Sequence, residues 1–174
     1  MLQASHRSRR ILRPANPRFI YATLILALLL HYLPIGRLPG VPDWMALTIA
    51  IWAVHEPRYA GMSMAFVFGL LTDIGFGAVM GQHALGYVLI GYGANTLSRR
   101  ILWFSPLEQA LHILPLLLLS QVAMVVLRVV AGDTFPGWSL FMGSFSATLL
   151  WWPVSLLLLL PQYRPEATDE TRPL

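Results

Sequence analysis

An acidic side chain, Asp73, and a histidine, His83, lie within an apolar, glycine-rich segment that runs from 68 to 95. A carboxylate inside a membrane segment is costly unless protein or water surrounds it and a hydrogen-bonding partner is near. Three roles are open for Asp73. It could pin a turn by accepting hydrogen bonds from backbone N–H groups or from Gln82 or His83, contact another membrane protein, or carry protons or ions. We favour the pinning interpretation.

Other residue types give little sign of catalysis. The chain has no cysteine, which excludes thiolate nucleophiles and thiolate metal ligands. All 12 basic residues are Arg, so a phosphate-binding loop that ends in Lys is excluded. The histidines lack the spacing of metal ligands, and Ser63 and Ser144 lack a recognisable pattern of catalytic partners. We therefore predict no catalytic residue, no metal and no cofactor.

The helix that carries Asp73 has small residues at a spacing of four, which predicts close packing against a neighbour. The row consists of Gly61, Ala65, Gly69, Asp73 and Gly77, and the next helix presents Ala84, Gly91 and Asn95 on one face and Gly86 and Gly93 on another. Small residues let membrane helices approach closely, since lipid supplies no hydrophobic driving force between them. The pattern predicts a tight hairpin of the third and fourth helices, closed by the turn GFGAVMGQ.

Six apolar segments position these residues. Hydrophobic residues make up 56% of the 174 residues and charged residues 11%, against roughly 25% charged residues in soluble domains. The segments cover 19–35, 42–55, 59–79, 82–98, 106–130 and 138–160. We predict an all-α, polytopic membrane protein. A six-helix transmembrane domain would span 19–161, between a basic N-terminal arm at 1–18 and a tail at 162–174.

Arginine placement predicts the orientation of the helices. If all six segments cross and the N-terminus is cytoplasmic, five arginines of the arm and five in later loops and the tail lie inside, whereas Arg37 and Arg128 lie outside. If the short second segment does not cross, the arginines divide equally between the two sides of the membrane. The positive-inside rule therefore favours six crossings with both termini in the cytoplasm. Asp73 and Arg128 would then share the outer side and could pair.

The positive charge lies at the flanks of the apolar segments. The formal net charge is +4, and this placement is typical of contact with anionic lipid headgroups. We expect no nucleic-acid binding. The candidate cytoplasmic contacts are Arg7, Arg9 and Arg10 in the arm and Arg99 and Arg100 after the fourth helix.

The order of these features resembles the rod shape-determining MreD family. The stretch GLLTDIGFGAVMGQHALGYVLIGYGAN carries the resemblance through Gly69, Leu70, Leu71, Asp73, Gly81, His83, Ala84, Leu85, Gly91 and Tyr92. Many members place a proline before the glycine of the turn, and this chain has none there. The rest of the chain agrees in length, hydropathy and topology.

This resemblance implies a non-enzymatic component of the bacterial elongation machinery in the cytoplasmic (inner) membrane. The implied partners are MreC above all, MreB, RodA with its penicillin-binding transpeptidase, and membrane lipid. The protein would help couple the MreB cytoskeleton to lateral peptidoglycan synthesis and rod shape. An exposed small-residue face would grip the transmembrane helix of MreC, and the basic arm and loop would face MreB or anionic lipid.

One alternative follows from the same resemblance, because the MreD family is similar in fold to the substrate-binding S components of vitamin transporters. The chain would then be a small-molecule-binding membrane subunit. S components usually carry an Ala-xxx-Ala patch on the first helix, where they dock their energising subunit. Here Ala22 and Ala27 are five residues apart, which weakens this alternative.

Overall fold

The computed structural model describes residues 15–34 and 40–162, which contain six α-helices and no β-strand. The helices are α1 Pro17–Tyr32, α2 Trp44–His55, α3 Met62–Phe76, α4 Gln82–Ile101, α5 Pro106–Val130 and α6 Met142–Leu159. Two 3₁₀ segments, Trp138–Phe141 and Leu160–Gln162, flank α6. The all-α prediction is confirmed for the described part of the chain.

Two helical stretches are long and apolar enough to cross a bilayer. They are Pro106–Val130 and Trp138–Gln162, each of 25 residues. The helices α1, α2 and α3 are apolar but shorter. At 1.5 Å per residue, α2 extends only about 18 Å, whereas the hydrocarbon core is roughly 30 Å thick.

The short helix α2 forms the centre of the bundle. It packs against α1, α4 and α6, and all its residues from Met45 to Val54 are buried. A helix that is apolar on every side is expected to be surrounded by protein. The Trp52 indole N–H donates to Thr23 Oγ1 of α1 at 2.9 Å, so the polar atom of this large buried ring has a partner. Protein rather than lipid thus surrounds α2.

The ends of the helices follow local capping. Asn16 and Asp43 accept hydrogen bonds from the first turns of α1 and α2, so these helices begin at Pro17 and Trp44 rather than at 19 and 42. The helix α3 ends at Phe76 instead of 79, because Gly77 takes a left-handed conformation with φ +60° that glycine adopts without steric cost. The helix α4 continues three residues past the predicted end at 98, to Ile101.

Glycines let α4 approach two neighbours. Gly91 faces Ala65 in α3 and the backbone of Gly61 just before it, while Gly86 and Gly93 face Met124 and Leu116 in α5. Each of the two glycine faces of α4 therefore meets a different helix. Since helix pairs without Cβ atoms at the contact can pack more closely, α4 lies tightly between α3 and α5.

Candidate functional site

Asp73, in the last turn of α3, caps the start of α4. Its Oδ2 accepts the backbone N–H of Gly81 at 2.9 Å and that of Ala84 at 3.4 Å, and its Oδ1 accepts the N–H of His83 at 2.8 Å. The N-cap residue of α4 is Gly81, which has no side chain to cap with. Because the first N–H groups of a helix lack partners within the helix, Asp73 supplies the missing cap. A carboxylate there also interacts favourably with the helix dipole.

The ring of His83 completes the hydrogen bonding of this carboxylate. Its Nδ1 lies 2.8 Å from Asp73 Oδ1, and Nδ1 is the donor to this oxygen when the carboxylate is ionised, since an ionised carboxylate only accepts. The side chain of Asp73 is 0% exposed. Neither lipid nor a partner protein therefore touches it in this conformation, and its contacts are those of the pinning interpretation.

A second carboxylate, Asp43, lies at the same end of the bundle and was not singled out in the sequence. It caps α2 by accepting the N–H of Ala46 at 2.8 Å. The hydroxyl of Tyr87 in α4 donates to its two oxygens at 3.1 and 3.0 Å. The available signal was an Asp immediately before an apolar helical run, which is an N-cap pattern. We refer to Asp43, Asp73, His31, His83 and Tyr87 together as the polar cluster.

Aromatic rings join the two carboxylates. The ring of His83 lies 5.9 Å from that of Tyr87 and 6.4 Å from that of His31, and the His31 ring packs edge-on against Phe76 at 4.9 Å. His31 Nδ1 is 3.6 Å from Asp43 Oδ1, which is beyond hydrogen-bond distance. The polar cluster is thus a continuous layer of side chains from α1, α2, α3 and α4.

A cavity of about 710 Å³ adjoins the polar cluster, within the size range of small-molecule sites. Residues from the ends of α1, α3 and α5 and from the beginnings of α2, α4 and α6 line it, so all these ends meet on one side of the bundle. We refer to this side as the Asp73 end. Sequence reasoning did not predict the cavity.

Arg128 lines this cavity and pairs with Asp133, so the possible pairing with Asp73 does not occur. Its Nε lies 2.7 Å from Asp133 Oδ2. Asp133 follows closely in the loop after α5, whereas both oxygens of Asp73 already accept hydrogen bonds from the start of α4. The Arg128 guanidinium and the N–H of Thr134 hold the pKa of Asp133 below its ordinary value.

The predicted row of small residues divides into separate roles. Ala65 and Gly69 face α4, whereas Gly61 and Gly77 are the N-cap and C-cap of α3. On α4, Gly91 packs against α3 but Asn95 is exposed. Asn95 lies one turn past Gly91, which already meets the backbone of Gly61 at the start of α3. It therefore lies beyond the end of the contact.

Two of the candidate cytoplasmic residues lie away from the Asp73 end. Arg99 and Arg100 are exposed in the last turn of α4. Arg7, Arg9 and Arg10 lie outside the described residues. Within the described ranges, no group of three or more His, Asp or Glu side chains could hold a metal ion.

Replacing Tyr87 with Phe should lower the free energy of unfolding by about 1–2 kcal/mol, because the carboxylate of Asp43 loses a buried donor. The ring itself would be retained, so packing changes little. Thermal melting of the purified protein in detergent measures the effect. Tyr92→Phe on the same helix is the matched control, since Tyr92 is 56% exposed. Equal melting temperatures for the two variants would contradict the assigned hydrogen bonds.

The described part of the chain is an all-helical bundle with two helices long and apolar enough to cross a membrane, glycine-mediated helix contacts and a buried polar cluster at one end. The family model described as rod shape-determining protein MreD matches residues 9–160. The rod shape-determining protein MreD of Haemophilus influenzae is 28% identical over 129 residues, which cover 72% of this chain and 77% of that protein. The chain belongs to the MreD family, and the predicted resemblance is confirmed. No solved structure matches it.

Membership of this family supports a rod-shape-determining role for the chain. MreD proteins are membrane proteins that determine cell shape, and the family is not known for catalysis. The hairpin of α3 and α4, which contains Asp73 and the stretch that carried the resemblance, lies inside the matched range.

Proposed function

We propose that this chain is a non-enzymatic, multi-pass component of the elongation machinery in the bacterial cytoplasmic membrane. It binds MreC and helps couple the MreB cytoskeleton, RodA and its penicillin-binding transpeptidase to lateral peptidoglycan synthesis. The observation that carries this proposal is the family match, which extends over residues 9–160. Six crossings with both termini in the cytoplasm would place the Asp73 end on the outer side.

The contact with MreC would use side chains that face lipid. The glycine faces of α3 and α4 already meet neighbouring helices inside the bundle, so they are not free to receive a further helix. Large apolar side chains are instead exposed on the outer helices, among them Leu29 on α1, Val126 on α5 and Leu149 on α6. A single transmembrane helix can pack on such a surface without uncovering polar groups.

At the opposite end, the exposed Arg99 and Arg100 support a contact with MreB or with anionic lipid. The arginines of the arm, Arg7, Arg9 and Arg10, would take part in the same contact. Arginine suits both partners, because its guanidinium pairs with carboxylate and phosphate groups through several donors.

Site-specific photocrosslinking tests the partner assignment. A photoreactive residue placed in turn at Leu29, Val126 and Leu149 should form a crosslinked product with MreC in cells from at least one position. The photoreactive residue placed at Ile90, which is 0% exposed, is the internal control and should give no crosslinked product with MreC.

Two further experiments test the same proposal. Purification from solubilised membranes should recover MreC with the chain, and depletion of the chain should cause rod-shaped cells to become round. Absence of MreC from both the crosslinked products and the purified complex would contradict the proposal.

The cavity is the observation that favours the alternative of a small-molecule-binding subunit similar to a vitamin-transporter S component. That alternative predicts that a vitamin or an ATPase module copurifies with the chain in place of MreC. Mass spectrometry of the purified complex therefore separates the two functions.

A further inference from the structure

We propose that the cavity at the Asp73 end binds a ligand through a primary ammonium group, which sits among Asp43, His31 and Gln121. We refer to these three residues as the acceptor pocket. The proposal stands on the cavity and its lining, and it does not depend on the contact with MreC.

Two buried polar atoms in the acceptor pocket have no hydrogen-bond partner. They are His31 Nδ1 and Gln121 Oε1, and both residues line the cavity. His31 is only 7% exposed. The amide nitrogen of Gln121 donates to the Leu140 carbonyl at 3.3 Å, which leaves its oxygen as the free end. Buried polar atoms are almost always hydrogen-bonded in folded proteins, so each of these two atoms indicates a missing donor in the cavity.

Asp43 brings a negative charge to the same place. Its carboxylate lies 3.6 Å from His31 Nδ1 and its side chain is 21% exposed, and it shares a second, small pocket with Gln121. The donors that it accepts from, the Ala46 N–H and the Tyr87 hydroxyl, are both neutral. Among the described residues, His31 is the one basic side chain within 4.0 Å. A partly buried carboxylate in this position favours a cation.

A primary ammonium group matches these requirements. It carries three N–H donors, a positive charge and no acceptor, and the acceptor pocket offers a carboxylate, an imidazole nitrogen and an amide oxygen. His31 accepts at Nδ1 when its proton is on Nε2. A neutral hydroxyl compound would supply donors without the charge, and an anion would be repelled by Asp43.

The remainder of the cavity accommodates the rest of the ligand. Its walls include the apolar side chains of Phe76, Met124 and Leu140, and the more exposed part of the lining carries the Arg128–Asp133 ion pair. Two sources share the required chemistry: a free amine from solution and the headgroup of an aminophospholipid. The experiment below distinguishes them.

Isothermal titration of the full chain in phosphatidylglycerol nanodiscs tests the proposal, with ethanolamine as the probe and ethylene glycol as its uncharged analogue. Ethanolamine should bind at least about tenfold more tightly, because a charged donor strengthens each hydrogen bond. Asp43→Asn keeps a helix-capping side chain and removes the charge, so it should weaken ethanolamine binding about tenfold or more. Glu108→Gln removes the same charge in the first turn of α5, away from the cavity, keeps a capping-box side chain, and should change affinity less than about threefold.

The lipid source is tested by native mass spectrometry after transfer to nanodiscs with equal amounts of phosphatidylethanolamine and phosphatidylglycerol. Selective retention of phosphatidylethanolamine, lost in Asp43→Asn, supports a lipid headgroup, and ethanolamine binding without lipid retention supports a free amine. Gln121→Met serves as a second variant if Asp43→Asn does not fold, with the same expected loss. The proposal is overturned if the wild-type chain prefers neither ethanolamine over ethylene glycol nor phosphatidylethanolamine over phosphatidylglycerol. It is also overturned if the control carboxylate variant weakens ethanolamine binding as much as Asp43→Asn does.

Discussion

Gly69→Ala should strongly destabilise or unfold the bundle, because a Cβ at this position would overlap the backbone of α4. A Cβ built on Gly69 falls on the Cα and N atoms of Ala84 and on the carbonyl carbon of His83. Backbone atoms cannot rotate aside as the end of a flexible side chain can. Overpacking a core typically costs about 1–3 kcal/mol. We expect about 3 kcal/mol or more, since separating α3 from α4 would also draw Asp73 away from its donors.

Two other glycines serve as controls for this prediction. Gly61 belongs to the same predicted row, but the nearest atom to its built Cβ is the Pro57 carbonyl oxygen at 4.0 Å. Gly61→Ala should therefore change stability by less than about 0.5 kcal/mol. Gly86→Ala should be intermediate, because its Cβ meets the flexible end of the Met124 side chain. Melting curves in one detergent rank the three variants, and similar melting temperatures for Gly69→Ala and Gly61→Ala would refute the close contact.

The second large effect is expected at Asp73, where both Asn and Ala should destabilise the hairpin. Each carboxylate oxygen accepts two hydrogen bonds, from Gly81 and Ala84 at Oδ2 and from the backbone and ring of His83 at Oδ1. Asn replaces one of these oxygens with an NH₂ group, which would face donors. Each buried donor left without an acceptor costs about 1–3 kcal/mol. We therefore expect at least about 2 kcal/mol for Asp73→Asn and more for Asp73→Ala.

Hydrogen exchange locates this effect. The amides of Gly81, His83 and Ala84 should lose protection in the Asp73 variants before amides in α5 do, since they lose their acceptor directly. Asp133→Asn is the control, because its carboxylate is in an exposed ion pair and its removal should leave the melting temperature unchanged. Normal protection at the start of α4 in Asp73→Ala would show that the cap is dispensable.

The spacing of small residues predicted that α3 and α4 form a hairpin, because a row of small residues lets two helices pack closely. Gly69 of the row on α3 and Gly91 of the predicted face on α4 both lie at the contact between these helices. Asn95 does not pack there, because spacing shows which residues share a face but not where the partner helix begins. The helix α3 begins at Met62, after Gly61 in an extended conformation, and the apolar pattern does not reveal this boundary.

The polar cluster was only partly predictable. Asp73 and its donors lie within 11 residues of each other in the chain, so a local pattern could indicate them. Asp43 and Tyr87 are 44 residues apart, and nothing in either segment shows that they meet. The cavity was not predictable at all, since it depends on how the ends of α1 to α6 are arranged at the Asp73 end.

The burial of α2 from Met45 to Val54 has a consequence for the order in which the protein is made. Of the three helices that cover α2, only α1 precedes it along the chain, whereas α4 and α6 are synthesised later. When α2 leaves the ribosome, most of the surface that will surround it does not yet exist. The core can close only after α6, the last helix, has been delivered to the membrane. Nascent chains shortened before α6 should therefore expose α2 to lipid or to the insertion machinery and be removed by membrane proteases.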